Sequence, residues 1–348
     1  MSSLPGAPIR IGALAPLSPP GWVGAGRHLL AGLELGVSEV NEAGGPPLEL
    51  VVRDTAADPA RAAAAVDELA GLGVAAVAGE YHSVVARAVA ARADALGLPF
   101  LCSSAVLDGL TDEPTDRVAR LAPAQSHGWQ SYADFLLAAG HRRIAVAAQA
   151  SVYWESGTRI LREYLAPRGG AVIALDTLDP AALCDELVDT GATALLLLVG
   201  IPEPAVSIVS AVRRDPRLAE VLVGAPAGQP EFADWLTSLG DDGAAVPFLR
   251  YLPAQLGPLG TRVETALRER LGEAPSFVAF EGYDTAVVLA DVVRAAKSWA
   301  DVAVEGTRGP IRFSRVPGIG VWQWAWPPVQ IVDRDPAAPD RLRVLRAG

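Results

Sequence analysis

The chain has 348 residues, of which 51% are apolar, and a formal charge of −11. A chain of this length usually exceeds what a single hydrophobic core can hold, so we predict two domains. The acidic balance, with no basic cluster stronger than His141-Arg142-Arg143, argues against a nucleic-acid partner. The single lysine, Lys297, argues against a phosphate-loop enzyme and a Schiff-base enzyme.

Strand and helix patterns alternate along the first part of the chain, which predicts βαβ units and a parallel sheet. The predicted elements are a strand at 9–14, a helix at 22–41, a strand at 48–53, a helix at 59–72 and an apolar strand at 74–78. The dipeptide Asp58-Pro59 predicts an N-cap followed by proline in the first helical turn. A further helix begins near Ser83.

A second series of the same kind follows Leu121. We predict helices at 127–139, 155–167, 180–189, 203–214 and 230–239, which alternate with strands at 143–148, 171–175, 193–199 and 220–223. Long helices return at 257–272 and 276–298, before strand-like segments at 309–313 and 321–326. The pattern predicts an α/β protein with two doubly wound lobes. No apolar run is long enough for a transmembrane helix.

The alternation in Val321-Trp-Gln-Trp-Ala-Trp326 predicts that the three indoles of the segment share one face of a strand. A covering of the sheet or an interface patch explains this pattern better than a ligand site does.

Enzyme chemistry has little support in the residue pattern. The four histidines lack metal-ligand spacing, and the chain has no CxxC, HExxH or GxSxG motif. The glycines of the segment 21–26 do not match dinucleotide-binding spacing. Cys102 and Cys184 are far apart in sequence and predict two buried thiols without a disulfide. We therefore predict no catalysis, no metal and no cofactor.

Polar and aromatic residues follow three of the predicted strands. They are Tyr81, His82 and Ser83; Cys102, Ser103 and Ser104; and Tyr153, Trp154 and Glu155. In a doubly wound sheet the carboxyl ends of the strands border one crevice, where ligands bind. A capping serine or a half-buried aromatic explains each residue alone nearly as well, and Ser83 has the pattern of a helix cap, a ligand contact or both. As a set, these residues predict a ligand cleft.

The order of several short motifs resembles the type I periplasmic binding proteins of the branched-chain amino-acid class. These motifs are Ile9–Leu17, Asn41–Gly45, Arg53–Pro59, Gly79-x-x-x-Ser83 and Gly282-Tyr-Asp284. Other stretches resemble more closely the amide-sensing regulator of the aliphatic amidase operon and related urea and short-chain amide binders. They are Gly79-x-Tyr81-x-Ser83 with Ala93–Ala95, Glu155-Ser156, Gly309–Arg312 and Gly320–Gln323.

This resemblance implies two Rossmann-like lobes joined by a three-strand hinge, with crossovers near residues 121, 249 and 317. Lobe 1 is expected at 7–121 and 250–317, lobe 2 at 122–249 and 318–335, and a C-terminal tail at 336–348. The implied function is a non-catalytic receptor that closes over a small polar ligand, such as an amide, a urea-like molecule, an amino-acid derivative or a small organic acid. The alternative is a transporter receptor for branched-chain or other aliphatic amino acids.

The resemblance also implies roles for individual residues. Ser83 matches a serine that holds the polar head of the ligand, and Tyr81 matches an aromatic residue of the pocket. Ser104 falls where a small residue exchanges hydrogen bonds with the ligand. Tyr153 or Trp154 supplies an aromatic wall, and Trp22 closes the pocket. The predicted ligand-binding set is completed by His82, Ser103, Cys102 and Gln229.

Two departures from the family pattern bear on the ligand. The chain reads Gly224-Ala-Pro-Ala-Gly-Gln229 where amino-acid binders place a carboxylate for the ammonium group, and Gly200-Ile-Pro202 where they place a tyrosine. An unpaired ammonium in a dry cleft costs roughly 3 kcal/mol or more. We therefore expect a neutral or anionic ligand, unless Glu80 or Glu155 turns inward. Gln229 offers an amide both a donor and an acceptor.

The expected partner is an ABC permease or a regulatory protein, and the expected assembly is a monomer or a homodimer. Residues 1–8 lack the basic and apolar regions of a signal peptide, which favours a cytoplasmic protein. The alternative is an exported or lipid-anchored protein whose signal peptide has been removed. A sugar-type repressor of this fold would need a helix-turn-helix before Ile9, and none is found there.

Overall fold

The computed structural model describes residues 7–325 and 327–347, which divide into two units. The first unit ends at Ala124 and resumes over Gln255–Pro328, and the second covers Gln125–Ala254 and resumes at Val329. Each unit contains a parallel sheet with helical connections. The α/β fold with two lobes is therefore confirmed.

The first unit begins with five strands and three helices. They are β1 (Ile9–Ala15), α1 (Val23–Glu42), β2 (Leu48–Asp54), α2 (Pro59–Gly71), β3 (Ala76–Gly79), α3 (Ser83–Ala95), β4 (Phe100–Cys102) and β5 (Val118–Arg120). The cap predicted at Asp58 is confirmed, because its carboxylate accepts a hydrogen bond from the Arg61 backbone N–H and Pro59 occupies the first turn.

The second unit repeats the alternation. Its elements are α4 (Gln125–Ala138), β6 (Arg143–Ala148), α5 (Val152–Leu165), β7 (Ala171–Ala174), α6 (Pro180–Thr190), β8 (Ala194–Leu198), α7 (Ala205–Arg214), β9 (Leu222–Gly224), α8 (Ala233–Leu239) and β10 (Phe248–Arg250). Four of these strands form a parallel sheet in the order β7-β6-β8-β9. Strand β8 is buried along its whole length, as its leucine run predicts.

The chain then returns to the first unit and ends in the second. The remaining elements are α9 (Pro258–Leu271), α10 (Phe277–Ala295), β11 (Val304–Gly306), β12 (Gly309–Ile311), β13 (Phe313–Arg315), β14 (Trp322–Trp324), β15 (Gln330–Asp335) and β16 (Ala338–Ala347). The sheet of the first unit has the order β13-β14-β5-β4-β3-β1-β2 and is parallel except for β13. In the second unit, β10, β15 and β16 form an antiparallel sheet.

The structure differs from the predicted boundaries by 3–5 residues near 121 and 249, and by more in two other places. Residues 318–328 belong to the first unit rather than to lobe 2, because β14 pairs in parallel with β5. The predicted C-terminal tail at 336–348 is instead largely a strand, since β16 pairs with β15 over residues 338–347. Of the three indoles predicted to share a face, Trp322 and Trp324 lie on β14, and Trp326 lies outside the described residues.

Both cysteines are buried and free, as the sequence predicts. Over residues 7–325 and 327–347, none of the helices combines the length and the apolar character needed to cross a membrane. The same part of the chain contains no group of three or more His, Cys, Asp or Glu side chains suited to a metal ion.

Helices α1 and α10 cross with their backbones in direct contact. A Cβ atom added to Gly32 would lie 1.9 Å from the Ala279 carbonyl oxygen, and one added to Gly282 would lie 2.3 Å from the Leu29 carbonyl oxygen. Only glycine fits at these two positions without a shift of the backbone. This close crossing fixes the position of α10, which carries polar residues into the interior of the first unit.

We predict that Gly32→Ala lowers the free energy of unfolding by about 1–3 kcal/mol, because the added methyl group overpacks the α1 and α10 crossing. The matched control is Gly71→Ala in α2, where no atom lies within 4 Å of the added Cβ. That control gains helix propensity and should be neutral or stabilising by up to about 1 kcal/mol. Urea unfolding of the three proteins measures both effects. Equal midpoints for Gly32→Ala and Gly71→Ala would contradict the prediction.

Candidate functional site

Three aromatic side chains meet at the carboxyl edge of the first sheet. Trp22 lies in the loop after β1, and Tyr81 and His82 lie in the loop after β3. The ring centroids are 5.6 Å apart for Trp22 and Tyr81, 5.3 Å for Tyr81 and His82, and 6.4 Å for Trp22 and His82. All three residues are partly exposed. We call these three residues the aromatic cluster.

Hydrogen bonds fix the imidazole of His82 within this cluster. The Trp22 backbone N–H donates to Nε2 of His82 at 3.4 Å, so Nε2 carries the lone pair and Nδ1 carries the proton. Nδ1 faces Oε1 of Glu80 at 3.3 Å, and the His82 backbone N–H donates to the same oxygen. Glu80 is fully buried. It therefore turns inward, but its carboxylate serves to orient His82.

Ser83 is the first residue of α3, and it joins the loop after β3 (residues 80–82) to the start of the loop after β4 (residues 103–107), which we call the β4 loop. Its Oγ accepts hydrogen bonds from the backbone N–H groups of Val106 and Leu107, each at 3.3 Å. The helix-cap alternative for Ser83 is wrong, since the N-cap position belongs to His82. Neither bond uses the hydroxyl hydrogen of Ser83, which leaves it a donor for a ligand or for water.

The residues at the end of β4 face the interior of the first unit. The Cys102 thiol donates to the Ala105 carbonyl at 3.6 Å, and burial raises its pKa to about 12. The hydroxyls of Ser103 and Thr285 are 2.9 Å apart. The buried Ser104 hydroxyl lies near the Glu281 carboxylate but has no hydrogen-bond partner among the described residues. The side chains of Cys102 and Ser103 have no exposed surface, and that of Ser104 is buried too, so ligand contacts by these residues stay predictions.

Behind Ser104 lies a group of charged side chains with no exposed surface, formed by Glu281, Asp284 and Arg308. We call it the buried ion cluster. Arg308 donates from Nε to Asp284 at 2.8 Å and from Nη1 to Glu281 at 3.2 Å. Burial raises the pKa of Glu281 to about 7, against the opposing effects of Arg308 and Ser104, and Asp284 raises it further.

Glu281, Asp284 and Arg308 were not among the residues predicted to form a site. A signal was present, because Glu281 and Asp284 are the carboxylates at positions i and i+3 in the otherwise apolar first turns of α10. Such charges are rarely buried without a partner. The partner, Arg308, lies in the turn between β11 and β12, which no local pattern connects to α10.

The β4 loop is also held from its carbonyl side. Nη1 of Arg120, a fully buried residue, donates to the carbonyls of Val106 at 2.9 Å and Leu107 at 2.6 Å. Its Nε donates to Oε1 of Gln323 at 2.8 Å. The backbone of residues 106 and 107 is therefore fixed through both its N–H and its C=O groups.

The second unit contains its own aromatic group after β6. Ser151 caps α5 by accepting from the Trp154 N–H, and the Tyr153 ring lies 4.6 Å from that of Trp154 and 6.0 Å from that of Trp129. Trp154 is buried, whereas Tyr153 is partly exposed. Between the two alternatives left open by the sequence, the exposure favours Tyr153 for a ligand contact.

Two further candidate residues in the second unit, Gln229 and Glu155, lie in surroundings that differ from those predicted. Gln229 is fully buried, and its amide nitrogen donates to the carbonyls of Leu197 and Val199, so its donor hydrogens are already used. Its amide oxygen has no hydrogen-bond partner among the described residues, so the acceptor half of the predicted role stays a prediction. Glu155 is exposed in the first turn of α5 and does not turn inward.

We predict that the free energy of unfolding contains a contribution from Glu281 that falls as pH rises from about 4.5 to about 7. In this range the folded protein keeps a proton that the unfolded chain has released. A pKa difference of this size corresponds to on the order of 3 kcal/mol.

Chemical unfolding from pH 4.5 to pH 8 measures this contribution as the difference between the wild type and Glu281→Gln, with Glu305→Gln as the exposed control. The free energy of unfolding of Glu281→Gln minus that of the wild type should become smaller as pH falls. The free energy of unfolding of Glu305→Gln should change with pH as that of the wild type does. A pH-independent difference would contradict the prediction.

Comparisons with known proteins place this geometry in a family. The family described as "Periplasmic binding protein" matches residues 8–307. A comparison with curated proteins gives no significant match.

Solved structures share the fold over nearly the whole chain. A leucine binding protein from Thermotoga maritima has 19% identity, covers 97% of this chain and 98% of its own, and has a TM-score of 0.82. A branched-chain amino acid transporter substrate binding protein from Streptococcus pneumoniae in complex with isoleucine has 19% identity, covers 98% of this chain and 100% of its own, and has a TM-score of 0.83. An ABC transporter solute binding protein from R. palustris in complex with 4-hydroxybenzoate has 19% identity, covers 98% of this chain and 97% of its own, and has a TM-score of 0.81. At these identities the likeness concerns the fold alone. The family match extends over most of the sequence, and the chain belongs to the periplasmic binding proteins.

Proposed function

We propose that this protein is a non-catalytic receptor for a small organic molecule with a planar apolar body and an uncharged or acidic head. The observation that carries the proposal is the aromatic cluster, whose three partly exposed rings stand beside the hydroxyl of Ser83. Aromatic rings give a flat ligand a large apolar contact area, and a hydroxyl donor suits a carbonyl or carboxylate oxygen.

The charged groups near the predicted sites support the choice of head group. A receptor for a zwitterionic amino acid needs a carboxylate for the ammonium group. Glu80 turns inward and is bonded to His82 through Oε1, and its Oε2 has no hydrogen-bond partner among the described residues. Glu80 has no exposed surface for a ligand, Glu155 is exposed, and Glu231 forms an ion pair with Arg250 at 3.0 Å. None of the three is therefore a ready partner for an ammonium ion. The structure in complex with 4-hydroxybenzoate is an example of an aromatic acid bound by a protein of this fold.

The proposal is tested by a thermal-shift screen with benzamide, benzoate, 4-hydroxybenzoate, acetamide, urea, L-leucine and L-isoleucine. A compound that binds the folded protein preferentially raises its melting temperature. We expect the largest rise for an aromatic amide or acid. If leucine or isoleucine gives the largest rise in melting temperature, the rival function of a branched-chain amino acid receptor is supported. The two solved amino-acid binding proteins are consistent with that rival function. If acetamide or urea gives the largest rise, the closer resemblance to the amide sensors is supported.

We predict that Tyr81→Ala weakens the binding of the best aromatic probe by about 10- to 100-fold, which corresponds to the loss of roughly 1.5–3 kcal/mol of ring contact. Isothermal titration calorimetry measures the dissociation constant. The control is Trp322→Ala, which removes a partly exposed ring on β14 outside the aromatic cluster. If both variants bind as tightly as the wild type, the cluster is not the ligand site.

Closure of two lobes about the predicted hinge stays a prediction. Small-angle X-ray scattering should show a smaller radius of gyration when a saturating aromatic probe is added, because a ligand shifts a conformational equilibrium toward the state that it binds better. An unchanged radius at saturation would contradict closure.

The partner and the location of the protein are part of the same proposal. Two of the solved structures named above are described as transporter binding proteins, which supports an ABC permease as the partner over a regulatory protein. An exported protein fits an ABC permease as partner, whereas a cytoplasmic protein fits a regulatory partner.

A further inference from the structure

We propose that Asp54 is a positioning residue for the ligand site, because its carboxylate fixes the loop that carries Trp22 of the aromatic cluster. We call this loop, residues 16–22, the β1 loop. The expected effect on ligand affinity rests on the proposed function, since the aromatic cluster is the proposed site of the ligand. The expected effect on the order of the β1 loop does not depend on any ligand.

The carboxylate of Asp54, the last residue of β2, joins two segments through four hydrogen bonds. From the β1 loop it receives the Leu17 N–H on Oδ1 at 2.8 Å and the Ser18 hydroxyl on Oδ2 at 2.5 Å. From the segment that follows β2 it receives the Ala56 N–H on Oδ1 at 2.9 Å and the Arg61 guanidinium on Oδ2 at 3.0 Å. Each oxygen therefore has one donor from each segment, and the carboxylate bridges the two.

The four donors also keep the carboxylate of Asp54 ionised. Burial disfavours the charged form, but the hydrogen bonds from the hydroxyl and the two N–H groups, together with the charge of the guanidinium, outweigh this effect and lower the pKa of Asp54 below its ordinary value. An ionised carboxylate only accepts hydrogen bonds, so all four donors are satisfied together near neutral pH. Hydrogen bonds to an ionised acceptor are also stronger than bonds between neutral groups.

Two alanines in the turn after Asp54 have a left-handed backbone, with φ of 48° at Ala56 and 56° at Ala57. This conformation is unfavourable for residues that carry a Cβ atom and persists where the surroundings impose it. Here the Ala56 N–H is held by Asp54, and the Ala57 N–H donates to the Thr55 hydroxyl at 3.4 Å. The turn lies against the β1 loop, because a Cβ atom added to Gly21 would be 3.3 Å from the Cβ atom of Ala57. Asp54 therefore fixes the β1 loop both directly and through this turn.

The β1 loop leads from the contacts of Asp54 to the aromatic cluster within a few residues. The Gly21 N–H donates to the Ser18 carbonyl at 3.2 Å, and the Trp22 N–H donates to Nε2 of His82 at 3.4 Å. The loop is thus held at Ser18 by a carboxylate and at Trp22 by an imidazole. An ordered loop keeps the Trp22 ring in the cluster before a ligand arrives, and a preorganised site binds more tightly because less order has to be gained on binding.

Amide hydrogen exchange on the ligand-free protein tests the positioning role without any assumption about the ligand. Asp54→Asn keeps the size of the side chain but replaces one acceptor oxygen by a donor. The amides of Leu17, Gly21 and Trp22 should exchange about tenfold faster in this variant than in the wild type. The matched control is Asp58→Asn, which removes the same charge from the same segment and leaves a residue that caps α2 equally well. Exchange in the β1 loop of this control should equal that of the wild type.

A double-mutant cycle with Trp22→Ala tests whether Asp54 affects affinity through Trp22. Calorimetry with benzamide and 4-hydroxybenzoate measures the dissociation constants. Asp54→Asn should weaken binding about fivefold when Trp22 is present and leave the dissociation constant of Trp22→Ala unchanged, whereas a general structural effect would weaken both equally. Asp58→Asn should bind as the wild type does.

Ser18→Ala removes a single bond of the carboxylate and repeats both measurements if Asp54→Asn does not fold, with an expected loss of affinity of about threefold. Absence of binding by both probes, with the faster exchange observed, would count against the proposed function and leave the positioning role supported. Unchanged exchange in Asp54→Asn and Ser18→Ala, or the same loss of affinity with and without Trp22, would overturn the inference.

Discussion

The hydrogen bonds that fix the backbone of the β4 loop are the constraint on which the rest of the candidate site in the first unit depends. A loop at the carboxyl end of a central strand leaves backbone groups that no neighbouring strand can pair, and buried backbone groups need partners. Here the partners are side chains, namely the Ser83 hydroxyl for two N–H groups and the Arg120 guanidinium for two carbonyls. Ser83 therefore has a structural task, and the partly exposed side chains at this edge of the sheet include those of the aromatic cluster.

The buried ion cluster explains how α10 can carry charge through the interior. Buried carboxylates and guanidinium groups lose their hydration, and replacement of such groups by apolar residues is often neutral or stabilising. A contribution to stability is thus a weak reason for their presence. Their geometry suggests specificity, because Arg308 and Thr307 attach the β11 and β12 hairpin to Asp284. Arg308 also covers the ring of Trp324 on β14. The cluster thereby sets the position of three elements against one helix.

Local sequence pattern predicted most of the fold, because alternation of apolar strands with capped helices is a local property. The cap at Asp58 and the buried run of β8 are examples. The failures involve pairing between distant segments. The segment with Trp322 and Trp324 reads as a strand, but only its contact with β5 shows to which unit it belongs. Likewise, the residues of β16 are mostly exposed and lack a core-facing pattern, so their strand structure follows from pairing with β15.

The candidate site was predictable to the extent that its residues lie beyond the sheet. Trp22, Tyr81 and His82 belong to loops that leave the carboxyl edge, and their rings meet there. Cys102 and Ser103 are consecutive at the end of a central strand, so they point to opposite faces and each meets a covering layer. Cys102 joins the apolar cluster with Val85 and Val89 of α3, and Ser103 reaches Thr285 of α10. Polarity at a strand end therefore indicates a ligand contact only for residues past the last helix-covered position of the strand.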